Sequence, residues 1–202
     1  MLTIALPKGR IADETLDRFE KAFGEKFVFE DRKLILKKSG FKFLNVRNQD
    51  VPTYVMHGAA DLGVVGLDVL EEKEYDLIKL LDLKLGRCKV AFGLRAGEKL
   101  NFDKSKITIA TKHEKIAKKY FEQKAMAVEI IKLYGSIELA PLVGLCDCIV
   151  DIVETGETMK QNGLEVGPTI METTAHLIAN KNSFYAKKDL IFDLKDKLEK
   201  FL

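Results

Sequence analysis

Cysteine is scarce: three residues in a chain of 202, an odd number, give no disulfide framework and point to a reducing compartment, the cytoplasm. Net charge is nearly absent as well. Thirty-three Lys and Arg against thirty-one Asp and Glu leave +2, too little for the strongly basic face of a general nucleic-acid binder. Tyr54, Tyr134 and the phenylalanines do not interleave with basic residues as single-strand binders require. No apolar stretch approaches the ~20 residues needed to cross a bilayer, so no membrane association is expected. The Met1–Lys8 run is also too short for a signal-peptide core. His57, His113 and His176 are scattered, and none is paired with a nucleophile, which speaks against nucleophile–histidine chemistry. Cys146 and Cys148 form Cys-x-Cys, but Cys88 is distant and no histidine lies near. That spacing lacks the zinc pattern, so no protein-built metal site is expected and the thiols read as small core residues. No internal repeat or low-complexity segment is visible.

What is present is an ordinary soluble composition, 47% hydrophobic and 32% charged. Short apolar runs alternate with amphipathic stretches, the pattern of an α/β protein. Strands are expected at 2–6, 62–65, 90–94, 107–110, 127–131, 149–153 and 174–179. Helices are expected at 11–23, from about Asp50 with Pro52 in the first turn, and at 112–123, 137–145, 156–161 and 187–201. In the last of these, Leu190, Leu194, Leu198 and Phe201 form a candidate apolar stripe. The pattern starts afresh after the turn at 96–99. This suggests two α/β lobes with the second inserted into the first: residues 1–95 plus 173–202, and residues 96–172.

Three segments carry candidate chemistry. In 148–158 an apolar strand runs into Asp151 and Glu154, then Thr155-Gly156-Glu157-Thr158, then a helix. Unpaired N–H groups at a helix start suit a phosphate, Gly156 permits close backbone approach, and the threonine hydroxyls can donate. Asp151 or Glu154 could accept from vicinal ribose hydroxyls. An acid-rich helix cap accounts for the same residues without a ligand. Second, Leu6-Pro7-Lys8-Gly9-Arg10 ends a strand with two cations around a glycine, at the place where α/β sheets bind ligands. A point charge and a bidentate fork suit a polyphosphate, whereas a solvated basic turn is the plain alternative. Third come Arg47 through Val55 and the small residues of 58–66, with Arg32 a further candidate anion contact.

Together these segments resemble the ATP phosphoribosyltransferase family in its short form. The matching residues are Leu6 to Arg10, Asp50 through Gly63, Gly135 to Leu145, Asp151 to Thr158 and Asn162-Gly163-Leu164. The likeness runs in the same order over nearly the whole chain. It implies a two-lobed, periplasmic-binding-protein-like fold around a cleft. It also implies a reaction joining N1 of the adenine of ATP to C1 of phosphoribosyl pyrophosphate, giving phosphoribosyl-ATP and pyrophosphate, the first step of histidine biosynthesis. By resemblance, Asp151, Glu154, Thr155, Gly156, Glu157 and Thr158 hold the ribose 5-phosphate. Lys8, Arg10 and Arg32 stabilise charge as catalytic residues, with Gly9 and Arg47 on the nucleotide or pyrophosphate side. Mg²⁺ is implied, carried mainly by substrate pyrophosphate. The chain stops soon after its last helix, without room for the C-terminal regulatory domain of the long form. The short form implies instead a separate subunit similar to histidyl-tRNA synthetase, in a hetero-octamer.

Two other functions share parts of the pattern. A solute-binding protein on the same scaffold would normally be exported. A salvage phosphoribosyltransferase usually has paired acidic residues directly before the Thr-Gly-x-Thr loop, whereas here Asp151 and Glu154 are separated.

Overall fold

Leu2 to Leu6 carries apolar side chains on both faces, as a strand must when helices cover both sides of its sheet. The computed structural model describes residues 1–101, 104 and 106–202, and forms two compact units. One comprises Met1–Gly86 with Thr174–Leu202, the other Arg87–Thr173.

The first unit contains β1 (Leu2–Pro7), α1 (Arg10–Phe23), β2 (Ile35–Lys38), β3 (Phe41–Val46), α2 (Val51–Met56), β4 (Leu62–Gly66), α3 (Leu67–Lys73) and β5 (Ile78–Asp82). The second contains β6 (Cys88–Arg95), β7 (Ile107–Thr111), α4 (Glu114–Glu122), β8 (Val128–Lys132), α5 (Leu139–Leu142), β9 (Cys148–Val153), α6 (Glu157–Gln161) and β10 (Leu164–Thr173). The chain then returns to the first unit with β11 (Ala175–Ala179), α7 (Lys181–Ala186) and α8 (Lys188–Glu199). The strand at 88–95 pairs with β9 and β10 in the second sheet, although the sequence boundary at 95 puts it in the first lobe.

Sheet order in the first unit is β2-β3-β1-β4-β11-β5. Strands β3, β1 and β4 run parallel, while β11 is antiparallel to both β4 and β5. In the second unit the order is β10-β6-β9-β7-β8, with β9, β7 and β8 parallel and β6 and β10 reversing in turn. Apart from the extra edge strand β2, the two sheets share one five-strand plan. No sequence repeat accompanies this structural one, because each sheet requires only apolar strand faces and not particular residues.

Each sheet is covered on both faces. Ile4, Leu6, Phe41 and Phe43 pack against Leu16 and Phe19 of α1 and Ile191, Leu194 and Leu198 of α8. Ala5, Val65 and Ile178 meet Val51, Val55 and Val69 on the other side. In the second unit Phe92, Ile109 and Val150 face Ile116 and Phe121 of α4, while Ala91, Ala110 and Ile149 face Ile137 and Met159. The buried stripe of α8 is therefore Ile191, Leu194 and Leu198, and Leu190 and Phe201 are exposed. Two stripes fit that sequence equally well, and the packing of α8 on α1 selects one of them. Cys146 and Cys148 lie in the second core, where burial pushes the Cys148 thiol up to about 12 and the Cys146 thiol upward too. Such thiols stay protonated and inert at neutral pH.

Candidate functional site

In each unit the parallel strands end at one edge of that unit's sheet, and polar loops follow them there. In the first unit the register pairs Pro7 with Val46. Lys8 follows the first of these residues and Arg47 the second, so both leave the sheet side by side. Lys8 N–H donates to Val46 O at 2.8 Å, which fixes the start of the loop against β3. Arg32 reaches the same edge from the antiparallel β2, whose lead-in Leu34 O accepts from Asn45 N–H at 2.9 Å. Arg10 opens α1 and is bonded to Glu14 at 3.1 Å. Among the described residues Lys8, Arg32 and Arg47 make no ion pair, and all three are exposed. Three uncommitted cations at one strand edge suit a polyanion.

Gly9 makes this edge possible. It precedes α1 with φ 96° and ψ −156°, a region open essentially to glycine alone. A Cβ there would meet nothing within 4 Å, so the constraint is conformational and not steric. Gly9→Ala is expected to destabilise the protein by about 1–2 kcal/mol, the cost of forcing an L side chain into such a conformation. Thermal unfolding should fall by a few degrees; an unchanged midpoint would show that the loop relaxes freely.

In the second unit Asp151, Val153, Glu154, Thr155, Gly156 and Thr158 line a pocket of ≈ 210 Å³, and Glu138 closes it from the turn before α5. Gly156 is left-handed at φ 84°. Its N-cap position would ordinarily be taken by Ser, Thr, Asp or Asn. Here Thr155, one residue earlier, accepts the Glu157 N–H with its Oγ1 at 3.3 Å. The N–H groups of Thr158 and Met159 precede the first intrahelical bond, Lys160 N to Gly156 O at 3.0 Å. Since α6 has only five residues, its dipole adds little. The anion-binding capacity comes from the loop's own N–H groups and hydroxyls.

Asp151 sits in the last half of β9 with its side chain 13% exposed. Lys112 Nζ lies 2.9 Å from its Oδ1, and the Ile152 N–H donates to the same oxygen at 2.7 Å. His113, buried, has Nε2 at 3.7 Å from that oxygen. Thus the geometry brings together the predicted Asp151, Glu154, Thr155, Gly156 and Thr158, with Glu157 beginning the helix behind them. Lys8, Gly9, Arg10, Arg32 and Arg47 gather at the first sheet's edge. Sequence reasoning passed over Lys112, His113 and Glu138. The first two directly follow the apolar strand β7, the same signal that singled out Lys8 after β1. Asn45 and Asn48, at the first edge, carry buried amide oxygens with no hydrogen-bond partner among the described residues.

Among the described residues no group of three His, Cys, Asp or Glu is arranged to hold a metal ion, and no helix is long and apolar enough to cross a membrane. A family model described as ATP phosphoribosyltransferase matches residues 47–200. The ATP phosphoribosyltransferase of Wolinella succinogenes is 66% identical over 99% of this chain and 97% of its own length. That of Sulfurovum sp. is 64% identical over 98% and 97%. Among solved structures, the ATP phosphoribosyl transferase (HisG:HisZ) complex from Thermotoga maritima has a matching chain with TM-score 0.83 and 36% identity, covering 99% of this chain and 98% of that one. The substrate binding protein of an amino acid ABC transporter follows the same fold at TM-score 0.61 with 13% identity, covering 98% and 91%, which speaks to architecture alone.

Proposed function

This chain belongs to the ATP phosphoribosyltransferase family, and we propose that its two strand edges divide that reaction's substrates. The enzyme joins N1 of the adenine of ATP to C1 of phosphoribosyl pyrophosphate, releasing pyrophosphate, in the first step of histidine biosynthesis. The observation that supports the division is the pocket of Asp151, Glu154, Thr155, Gly156 and Thr158, where hydroxyls and loop N–H groups adjoin carboxylates. A 5-phosphate suits the former, and ribose hydroxyls suit the latter.

Displacement at C1 builds positive charge on the sugar and negative charge on the departing pyrophosphate. Catalysis then depends on placing two substrates and aiming cations at the leaving group, more than on a strong base. Lys8, Arg10 and Arg32 are assigned that electrostatic role, with Gly9 and Arg47 on the nucleotide or pyrophosphate side. Lys8, Arg32 and Arg47 can take it up without first breaking an ion pair. Mg²⁺ suits the oxygen donors around the pocket, but Asp151 is already engaged by Lys112. The residues therefore fit a metal carried chiefly by pyrophosphate oxygens, where it would neutralise leaving-group charge. The setting proposed is the cytoplasm, in a hetero-octamer with a regulatory subunit similar to histidyl-tRNA synthetase. The Thermotoga maritima HisG:HisZ complex, a two-component assembly, supports such a partner.

Incubation with ATP, phosphoribosyl pyrophosphate, Mg²⁺ and the candidate partner should yield the absorbance of phosphoribosyl-ATP. Thr155→Val and Thr158→Val are each expected to raise KM for phosphoribosyl pyrophosphate roughly tenfold, the loss of one hydrogen bond to a charged group, with kcat little changed. Unaltered KM in both variants would remove the 5-phosphate from this loop.

A further inference from the structure

The shared plan of the two sheets gives Lys112 a counterpart. In the first unit β1, the middle of the three parallel strands, ends at Pro7 and is followed by Lys8; in the second, β7, likewise the middle of three parallel strands, ends at Thr111 and is followed by Lys112. Each lysine thus leaves the middle of a parallel edge. They differ in what they meet. Lys8 makes no ion pair among the described residues, whereas Lys112 is ion-paired with Asp151 at 2.9 Å.

The contacts on Asp151 are one-sided. Lys112 Nζ, the Ile152 N–H and, at longer range, His113 Nε2 all address Oδ1. Among the described residues no hydrogen bond reaches Oδ2, although Asp151 lines the pocket with Thr155, Gly156 and Thr158. The support beneath is rigid. Thr111 is fully buried, donates from Oγ1 to Val150 O at 2.5 Å and accepts the His113 N–H at 2.8 Å. That pair of bonds ties the end of β7 to β9 and sets the backbone from which Lys112 and His113 extend. A carboxylate saturated on one oxygen and open on the other is a preorganised acceptor.

Building on the reading of this loop as the ribose 5-phosphate site, we propose that Lys112 is a positioning residue. It occupies Oδ1 of Asp151 so that Oδ2 is presented to the vicinal hydroxyls of the pentose. Lys112 then acts on sugar selection through Asp151 and not by touching the phosphate itself. His113, buried against the same oxygen, backs the carboxylate on its inner side.

The test compares ribose 5-phosphate with 2-deoxyribose 5-phosphate as competitors of phosphoribosyl pyrophosphate, in the assembled enzyme. The wild type should favour the ribose form roughly tenfold, the value of one hydrogen bond to a charged group. Asp151→Asn should bring that ratio close to one. Lys112→Met should do the same while Lys112→Arg keeps most of it, and Lys112→Met added to Asp151→Asn should change nothing further. Thermal unfolding checks that each variant is folded, and Lys112→Gln replaces the Met variant if that one is not.

Retention of the wild-type ratio in Lys112→Met would overturn the proposal. So would equal weakening of both sugars in both backgrounds, which marks a direct phosphate contact. Those outcomes leave the loop reading intact if Thr155→Val still weakens ribose 5-phosphate. If the wild type does not discriminate, this inference falls alone; if neither Thr155→Val nor Thr158→Val weakens ribose 5-phosphate, the loop reading and this inference fall together.

Discussion

Gly156→Ala should lower kcat/KM for phosphoribosyl pyrophosphate by about a hundredfold while leaving the protein folded, because misplacing bound groups by about 1 Å costs on that order. Two separate costs meet at this residue. Its φ of 84° lies where an L side chain pays about 1–2 kcal/mol. A Cβ would also stand 2.8 Å from Val166 Cγ2 on the neighbouring β10, a separation no real pair of carbons keeps. Over-packing of this kind costs about 1–3 kcal/mol when the surroundings hold firm. Here the easier response is for the loop to shift away from Val166, taking the Thr155 and Thr158 hydroxyls out of place. The double variant Gly156→Ala with Val166→Ala separates the two costs, since it removes the contact and leaves the torsion. Partial recovery of activity is expected. Gly9→Ala is the matched control on the other edge, where the torsion is present without the contact. If Gly156→Ala kept kcat/KM within threefold of wild type, this loop would not be where the reacting sugar is held.

The sequence made some of this legible and concealed the rest for identifiable reasons. Ile4, Ala5 and Leu6, like Cys148, Ile149 and Val150, are buried on both faces of their sheets, so apolarity marks these stretches. The loop after β9 is legible because phosphate chemistry draws on a narrow set of residues in consecutive order. Strands β2 and β3 are harder to see. Lys37 and Lys38 lie on an exposed edge strand, and Lys42 and Asn45 interrupt the apolar pattern of its neighbour. Strand β10 is hidden by Gly167 and Pro168, which resemble a loop. Proline is tolerated at a sheet edge or bulge. β10 is an edge strand whose pairing with β6 shifts register between Val166 and Thr169. The role of Lys112 is hidden differently. In sequence it reads as the first residue of a helix, and only the pairing of Thr111 with Val150 carries it to Asp151. Contacts between residues so far apart leave no local pattern, and the same holds for the return of the chain's last segment to the first unit.

Asp61→Asn should reveal what secures that return, at a cost of about 2–4 kcal/mol near neutral pH. Asp61 is buried where β4 begins, and it accepts the Thr3 N–H at 2.9 Å and the Ser183 hydroxyl at 2.7 Å. Lys187 Nζ reaches both of its oxygens at 2.8 Å. One carboxylate thereby joins the first strand, the fourth and the final helical segment. Burial alone would raise its pKa, but the bonds from Lys187, Thr3 and Ser183 outweigh that and hold it below the ordinary value. The sign of the pH effect follows. A depressed folded pKa stabilises above the unfolded value of about 3.9, and that contribution is lost as pH falls through the folded value. The stability gap between wild type and Asp61→Asn should therefore be full at pH 7 and shrink below about pH 4, as the wild-type carboxylate takes up its proton. Asp82 provides an internal standard. Burial raises it too, yet the Lys84 ammonium and N–H, the Thr174 hydroxyl and nearby His176 bring it down to about 2. Asp61→Asn should accordingly still lose stability in acid, with a shallower slope. Urea unfolding at pH 7 and pH 3 measures both quantities. A gap that stayed constant between those two pH values would mean that the Asp61 charge contributes nothing to the closure, and that the hydrogen bonds an amide can keep are sufficient.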